Sequence, residues 1–214
     1  MNAAMRIAKL APRLLFAVGV AVLACGTVLH ADRGGAAGAL AAALSAAYLG
    51  WLVLEAPVTF RRPPAPPADT RTLVPYALAR VLLVAGASLR PPPWDRWTPW
   101  LLVPCAVFAA GVALRWAAIR ALGRFYSHHV LRPDGHRVVT GGPYGIVRHP
   151  AYAGMLLANL GFTAFFPHPV TLAALLLLGC AVAWRIRVEE RALLDVPGYA
   201  QYAAGRPRVL PGVW

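Results

Sequence analysis

Apolar positions in this chain come in long unbroken runs, with neither the strict alternation of a strand nor the narrow stripe of a surface helix. Runs over residues 14–31, 36–54, 73–89 and 100–118 approach the length needed to cross a membrane. About 20 helical residues, rising about 1.5 Å each, span a hydrocarbon core of roughly 30 Å. Two shorter runs, 151–166 and 170–184, flank Pro167-His168-Pro169 and read as a hairpin of marginal spans. Backbone amides in hydrocarbon must be paired within their own segment, so these runs predict helices. The breakers agree: Asp32-Arg33-Gly34-Gly35 is a short turn, residues 57–68 are too proline-rich for a regular helix, and Pro91-Pro92-Pro93 separates the third and fourth spans. The pattern predicts an all-α, polytopic helical membrane protein with four N-terminal transmembrane helices, a connecting amphipathic segment and a C-terminal helical hairpin. Residues 1–120 form the N-terminal transmembrane part and residues 121–214 a C-terminal region that includes the membrane hairpin at 151–184.

Composition strengthens the membrane reading, with 59% hydrophobic and 14% charged residues and a mean hydropathy of +0.57. A net charge of +13 raises the question of nucleic acid, but the basic residues are sorted by loop and form no soluble patch. With the N-terminus in the cytoplasm, Arg6, Lys9, Arg13, Arg61, Arg62, Arg71 and nearly everything basic from Arg115 onward fall inside. Arg33, Arg90 and Arg96 stay outside, as the positive-inside rule requires. An Ala- and Arg-rich chain with one lysine fits a GC-rich bacterial genome, hence an inner membrane with both termini cytoplasmic. A signal-peptide reading of the N-terminus rests on Val22-Leu23-Ala24-Cys25, a loose lipoprotein pattern. Leu23 suits it poorly, and the apolar run continues past Cys25 to Val28 and Leu29, as a retained anchor does. Cys25, Cys105 and Cys180 lie in three different apolar segments and read as small buried hydrophobes.

Trp94, Trp97 and Trp100 suit an aromatic belt at the outer interface. Arg80, near the middle of the third span, is an intramembrane cation and a functional candidate by default. Tyr76, Ser88 or a partner such as Glu55 would shelter it in a purely structural role. The densest chemistry lies around the hairpin. Gly142-Pro143-Tyr144-Gly145-Ile146-Val147-Arg148-His149-Pro150-Ala151-Tyr152 precedes its first arm, and Arg185-Ile186-Arg187-Val188-Glu189-Glu190 ends its second. A hairpin returns the chain to the side it left, so Arg148 and His149 are expected to meet Arg185, Glu189 and Glu190 at one membrane face. Pro150 suits a first helical turn, which puts His149 near the N-cap with backbone amides aimed at the site. The second arm is expected to stay helical through Ala192, stacking Arg185 on Glu189. There is no Gly-x-Gly-x-x-Gly, no phosphate loop, no convincing zinc spacing and no serine elbow.

These blocks, with Tyr199-Ala200-Gln201-Tyr202 and Leu210-Pro211-Gly212, resemble the isoprenylcysteine carboxyl methyltransferases and related phospholipid methyltransferases over roughly residues 122–214. The resemblance implies an integral membrane enzyme whose cytosol-facing pocket binds S-adenosyl-L-methionine without a Rossmann domain and methylates a lipid-like or small amphipathic acceptor. The family's cofactor positions fall on His136, Val138, Val139, Tyr144, His149, Pro150, Ala151, Tyr152 and Glu189. Arg185 matches its acceptor-side arginine, and Arg185, Arg148 and Glu190 are the candidate catalytic residues. The stretch from Glu190 to Tyr199 is shorter than in many relatives, with Pro197-Gly198 replacing a longer acidic turn. No metal and no nucleic acid are expected. A carboxylate acceptor, ionised at neutral pH, needs no base; an amine acceptor needs His149, Glu189 or Glu190 to take its proton. The rivals are an NADPH-dependent membrane reductase of the sterol-reductase type and a non-catalytic membrane scaffold.

Overall fold

A computed structural model describes residues 3–61, 71–123, 126, 138–212 and 214, with side chains from Leu10 onward. Helices dominate, and the described residues contain no strand. The order is α1 (Ala3–Asp32), α2 (Gly35–Thr59), α3 (Leu73–Ser88), a 3-10 turn at Pro99–Leu101 running into α4 (Leu102–Leu122), a second 3-10 turn at Gly142–Gly145, α5 (Pro150–Phe165), α6 (Pro169–Leu193) and the short α7 (Tyr199–Ala204). Each arm of the hairpin starts on the same His-Pro pair. His149 and His168 are the N-caps and Pro150 and Pro169 the first helical residues, where a missing amide hydrogen is no loss.

Four helices are long and apolar enough to cross a membrane, namely Leu10–Asp32, Gly35–Thr59, Pro99–Leu122 and Pro169–Leu193. The protein is an integral membrane protein, but these four are not the first four in the chain. The third predicted span yields a helix of 16 residues, α3, about 24 Å long. The second hairpin arm, marginal by its apolar run, becomes the 25-residue α6. A helix needs no apolar residues to continue, and nothing breaks this one until the Pro197-Gly198 turn. Its end at Leu193 agrees with the expected continuation through Ala192.

α5 packs mainly along α4, and α6 along α3, while α1 packs on α2 and α3; the two hairpin arms touch each other little. Glycine makes the α4–α5 seam. A Cβ on Gly111 would fall on Ala158, one on Gly154 on Arg115, and one on Gly161 on Phe108, all at backbone atoms. The two backbones are therefore in direct, antiparallel contact, as small residues permit between membrane helices. Tyr48, Leu83, Met155, Phe162, Phe165, Leu178 and Ile186 fill the core, while Leu14, Val28, Leu54, Leu102 and Leu176 remain exposed on the outside, where lipid lies. Trp97 and Trp100 are exposed as an interfacial belt requires. Trp94 instead donates its indole N–H to the carbonyl of Phe165 at 2.8 Å, tying the loop to the end of α5.

Candidate active site

The fold gathers the C-terminal ends of α2, α4 and α6 and the N-terminal ends of α3 and α5 at one end of the bundle. There the two ends of the hairpin meet. Glu190 lies at the centre of a clamp, accepting from Arg148 Nη1 at 2.8 Å and from Arg208 Nε at 2.8 Å, with His149 Nε2 at 3.2 Å. The backbone completes it: the amides of Arg148 and His149 donate to the carbonyls of Pro207 and Arg208, each at 2.9 Å. Those two amides, just ahead of α5, are thus taken by the chain itself. His149 is the N-cap, but its side chain makes no capping bond; its carbonyl accepts from Tyr152 and Ala153. Trp214 lies against the same clamp, with the guanidinium carbons of Arg187 and Arg208 5.6 and 5.1 Å from its ring centroid.

Glu189, one residue earlier, points to a different neighbourhood. Its Oε2 accepts from the Tyr152 hydroxyl at 2.9 Å, and that hydroxyl accepts in turn from Arg185 Nε at 2.9 Å. Arg185 Nη1 donates to Thr72 Oγ1 at 2.9 Å, linking α6 to the start of α3. The half-buried Glu189 carboxylate also lies near enough to Tyr126, Tyr144 and Tyr199 to disfavour ionisation of their hydroxyls. Burial pushes the hydroxyls of Tyr144 and Tyr199 well above the ordinary tyrosine range and that of Tyr126 up to about 12, against the pull of Arg115. All three stay protonated near neutral pH and can donate or accept a hydrogen bond or present a ring face. The Tyr199 hydroxyl is buried without a partner.

The remaining predicted positions fall around this pair of carboxylates. Val139 packs with Ala118, Tyr144 and Ala151, and Val138 beside it is half-buried. Pro150 is buried as the first residue of α5. The carbonyl of Ala151 accepts from Arg115 Nη1 at 3.1 Å. His136 lies outside the described residues, as do His128 and His129 of the amphipathic segment.

Sequence reasoning missed the support beneath the site. Arg115, grouped by position with the cytosolic basic residues, is 1% exposed. It pairs through Nε with Glu55 Oε1 and through Nη2 with Glu55 Oε2 at 3.0 Å, and it donates to the Tyr126 hydroxyl at 3.2 Å. Trp51 Nε1 adds a bond to Glu55 at 2.7 Å. Glu55 is therefore the ion-pair partner of Arg115, and Arg80 instead donates from Nε to the Tyr48 hydroxyl at 2.9 Å and lies over Trp51 at 4.4 Å. The available signal was charge sparsity: Glu55 and Arg115 are lone opposite charges near the ends of two apolar runs. Thr72, by contrast, had no signal beyond the start of a span.

Residues 102–195 match the family model "Isoprenylcysteine carboxyl methyltransferase (ICMT) family". Over that stretch the chain is similar to this family. Protein-S-isoprenylcysteine O-methyltransferase B of Arabidopsis thaliana is 34% identical over 112 residues, covering 48% of this chain and 55% of the relative. The Schizosaccharomyces pombe protein-S-isoprenylcysteine O-methyltransferase is 36% identical over 106 residues, covering 47% of this chain and 45% of the relative. A cobalt-zinc-cadmium resistance protein of Cupriavidus metallidurans is 31% identical over 148 residues, covering 66% of this chain and 61% of the relative. The chain thus spans roughly half of each relative's length, between 45% and 61%. The described residues hold no group of three or more His, Cys, Asp or Glu side chains able to bind a metal.

Proposed function

We propose that this chain is a member of the ICMT family and an S-adenosyl-L-methionine-dependent methyltransferase that methylates a lipid-like or small amphipathic acceptor, with carboxylate O-methylation favoured. The observation that supports this most directly is the Glu189 carboxylate held by Tyr152, which Arg185 holds in turn, with Tyr126, Tyr144 and Tyr199 within its electrostatic reach. Those residues fit the donor: a carboxylate suits its ammonium or ribose hydroxyls, aromatic faces suit a sulfonium, and the buried Tyr199 hydroxyl still lacks a partner. Bound there, the donor supplies an electrophilic methyl group on sulfur. His136, Val138, Val139, Tyr144, His149, Pro150, Ala151, Tyr152 and Glu189 form the proposed cofactor surface.

Arg185 is the acceptor-side cation in this reading. Its bonds to Tyr152 and Thr72 fix its plane, and a planar fork can hold a carboxylate in line with the methyl group. An acceptor carboxylate is already ionised and attacks without losing a proton, so no residue acts as base. Arg148 and Glu190 then act as positioning residues: three basic groups occupy the Glu190 carboxylate and lock the start of α5 to the end of α6. The distribution of basic residues supports a cytoplasmic site in a bacterial inner membrane. Residues 121–214 supply this chemistry and residues 1–120 the frame.

Calorimetry on the purified chain tests the proposal. S-adenosylhomocysteine should bind saturably and NADPH should not; the reverse result would sink it. Glu189→Ala should weaken S-adenosylhomocysteine at least about tenfold, the loss of a charged hydrogen bond worth about 1.5–3 kcal/mol. Arg185→Ala should leave that affinity nearly intact and abolish methyl incorporation into lipid extracts.

A further inference from the structure

Among the described residues, three guanidinium groups are buried in this bundle outside the water-side clamp: Arg80 at 8% exposure, Arg115 at 1% and Arg185 at 3%. Two carboxylates stand against them, Glu55 on Arg115 and Glu189 beside Arg185. Arg80 has a hydroxyl and two aromatic rings for company but no carboxylate hydrogen-bonded to it, and its Nη2 is buried with no hydrogen-bond partner. One turn nearer the site on α3, the hydroxyl of Tyr76 is likewise buried without a partner. Tyr76 is 6% exposed and interacts electrostatically with Arg80, Arg115 and Arg185.

Thr72, Tyr76 and Arg80 recur every four residues, so they form a ladder along one face of α3, each rung about 6 Å from the next. Its first rung already holds Arg185. The next two present unmet donors amid surplus positive charge, at a depth where an unsatisfied polar atom costs several kcal/mol. Arg80 thus leaves one guanidinium nitrogen open. Both residues lie outside the stretch that matches the family.

We propose that Tyr76 and Arg80 form a buried oxyanion subsite that takes the carboxylate or phosphate of an amphiphile whose apolar tail remains among the helices. The subsite makes the chain selective for anionic amphiphiles over neutral ones of the same length. It rests on the methyltransferase reading only for what the bound amphiphile is used for.

Tryptophan fluorescence of the full chain in a neutral maltoside detergent provides the test, because Trp51 lies against Arg80. Dodecanoate or dodecyl phosphate should give a saturable change at an affinity at least tenfold above that of dodecanol, and the better of the two anions distinguishes a carboxylate ligand from a phospholipid headgroup. Arg80→Gln should abolish the preference for the anion, and Tyr76→Phe, which keeps the ring, should lower anion affinity at least threefold. Equal binding of dodecanol and both anions to the unaltered chain, or anion binding unchanged in Tyr76→Phe, overturns the subsite even if Arg80→Gln does not fold. S-adenosylhomocysteine calorimetry runs in parallel. Loss of that binding with anion selectivity intact removes the methyl-transfer reading and leaves the subsite standing.

Discussion

Two arginine-glutamate assemblies hold this protein together, and they differ chiefly in their access to water. The Glu55–Arg115 pair lies inside the bundle with side chains 2% and 1% exposed. The Glu190 clamp lies at the end of the bundle, with Glu190 at 11%, Arg148 at 15% and Arg208 at 31%. Both are built from charged hydrogen bonds between guanidinium groups and a carboxylate, so the type of bond does not distinguish them. Solvation does. An interior pair that loses one member leaves an uncompensated ion with no water to turn to, whereas a clamp at the boundary can rehydrate what it loses. The interior pair therefore fixes where α2, α4 and the carbonyl of Ala151 stand, and the clamp fixes how the chain after α6 closes over the start of α5.

The largest expected effect comes from breaking the interior member. Glu55→Gln should destabilise the fold by about 3–5 kcal/mol in a reversible unfolding assay, because Arg115 stays charged and buried; a loss under about 1 kcal/mol would show that water reaches the pair. Glu190→Gln should cost less, about 1.5–3 kcal/mol, and should weaken S-adenosylhomocysteine binding through displacement of His149. Glu190→Gln with unchanged cofactor affinity would confine the clamp to folding. The smallest effect sharpens the comparison through salt. Arg208→Gln should cost about 0–1 kcal/mol, and raising ionic strength from 0.05 to 0.5 M should shrink the difference further, while the Glu55→Gln penalty should not change. Equal salt dependence in the two would contradict the difference in solvation.

The helices were legible because membrane spans announce themselves by length, and the hairpin because its two His-Pro starts and its polar ends are local features. Helix length was less legible where the apolar run and the hydrogen-bonded run differ. α6 continues through Arg185, Glu189 and Glu190, which an apolar count cannot follow, and α3 stops before the thickness of a bilayer is reached. The meeting of Arg148 and His149 with Glu190 followed from topology alone, as did the return of Arg185 and Glu189 to the same end. The pairing inside the bundle did not. Choosing between Arg80 and Arg115 as the partner of Glu55 requires the rotation of three helices about their axes, and runs this uniformly apolar leave that rotation undetermined. Thr72 and Tyr126 belong to the same class of miss, since each matters only through an arginine from another helix.

The glycine seam between α4 and α5 bears on how the protein answers to the lipid around it. α5, at 16 residues, is too short to settle its own height in a membrane, and its backbone rests directly on that of a longer neighbour. Thickening or thinning the surrounding bilayer should tilt or shift the two as one body, so His149 and Tyr152 keep their register with Arg115 in membranes of differing lipid composition.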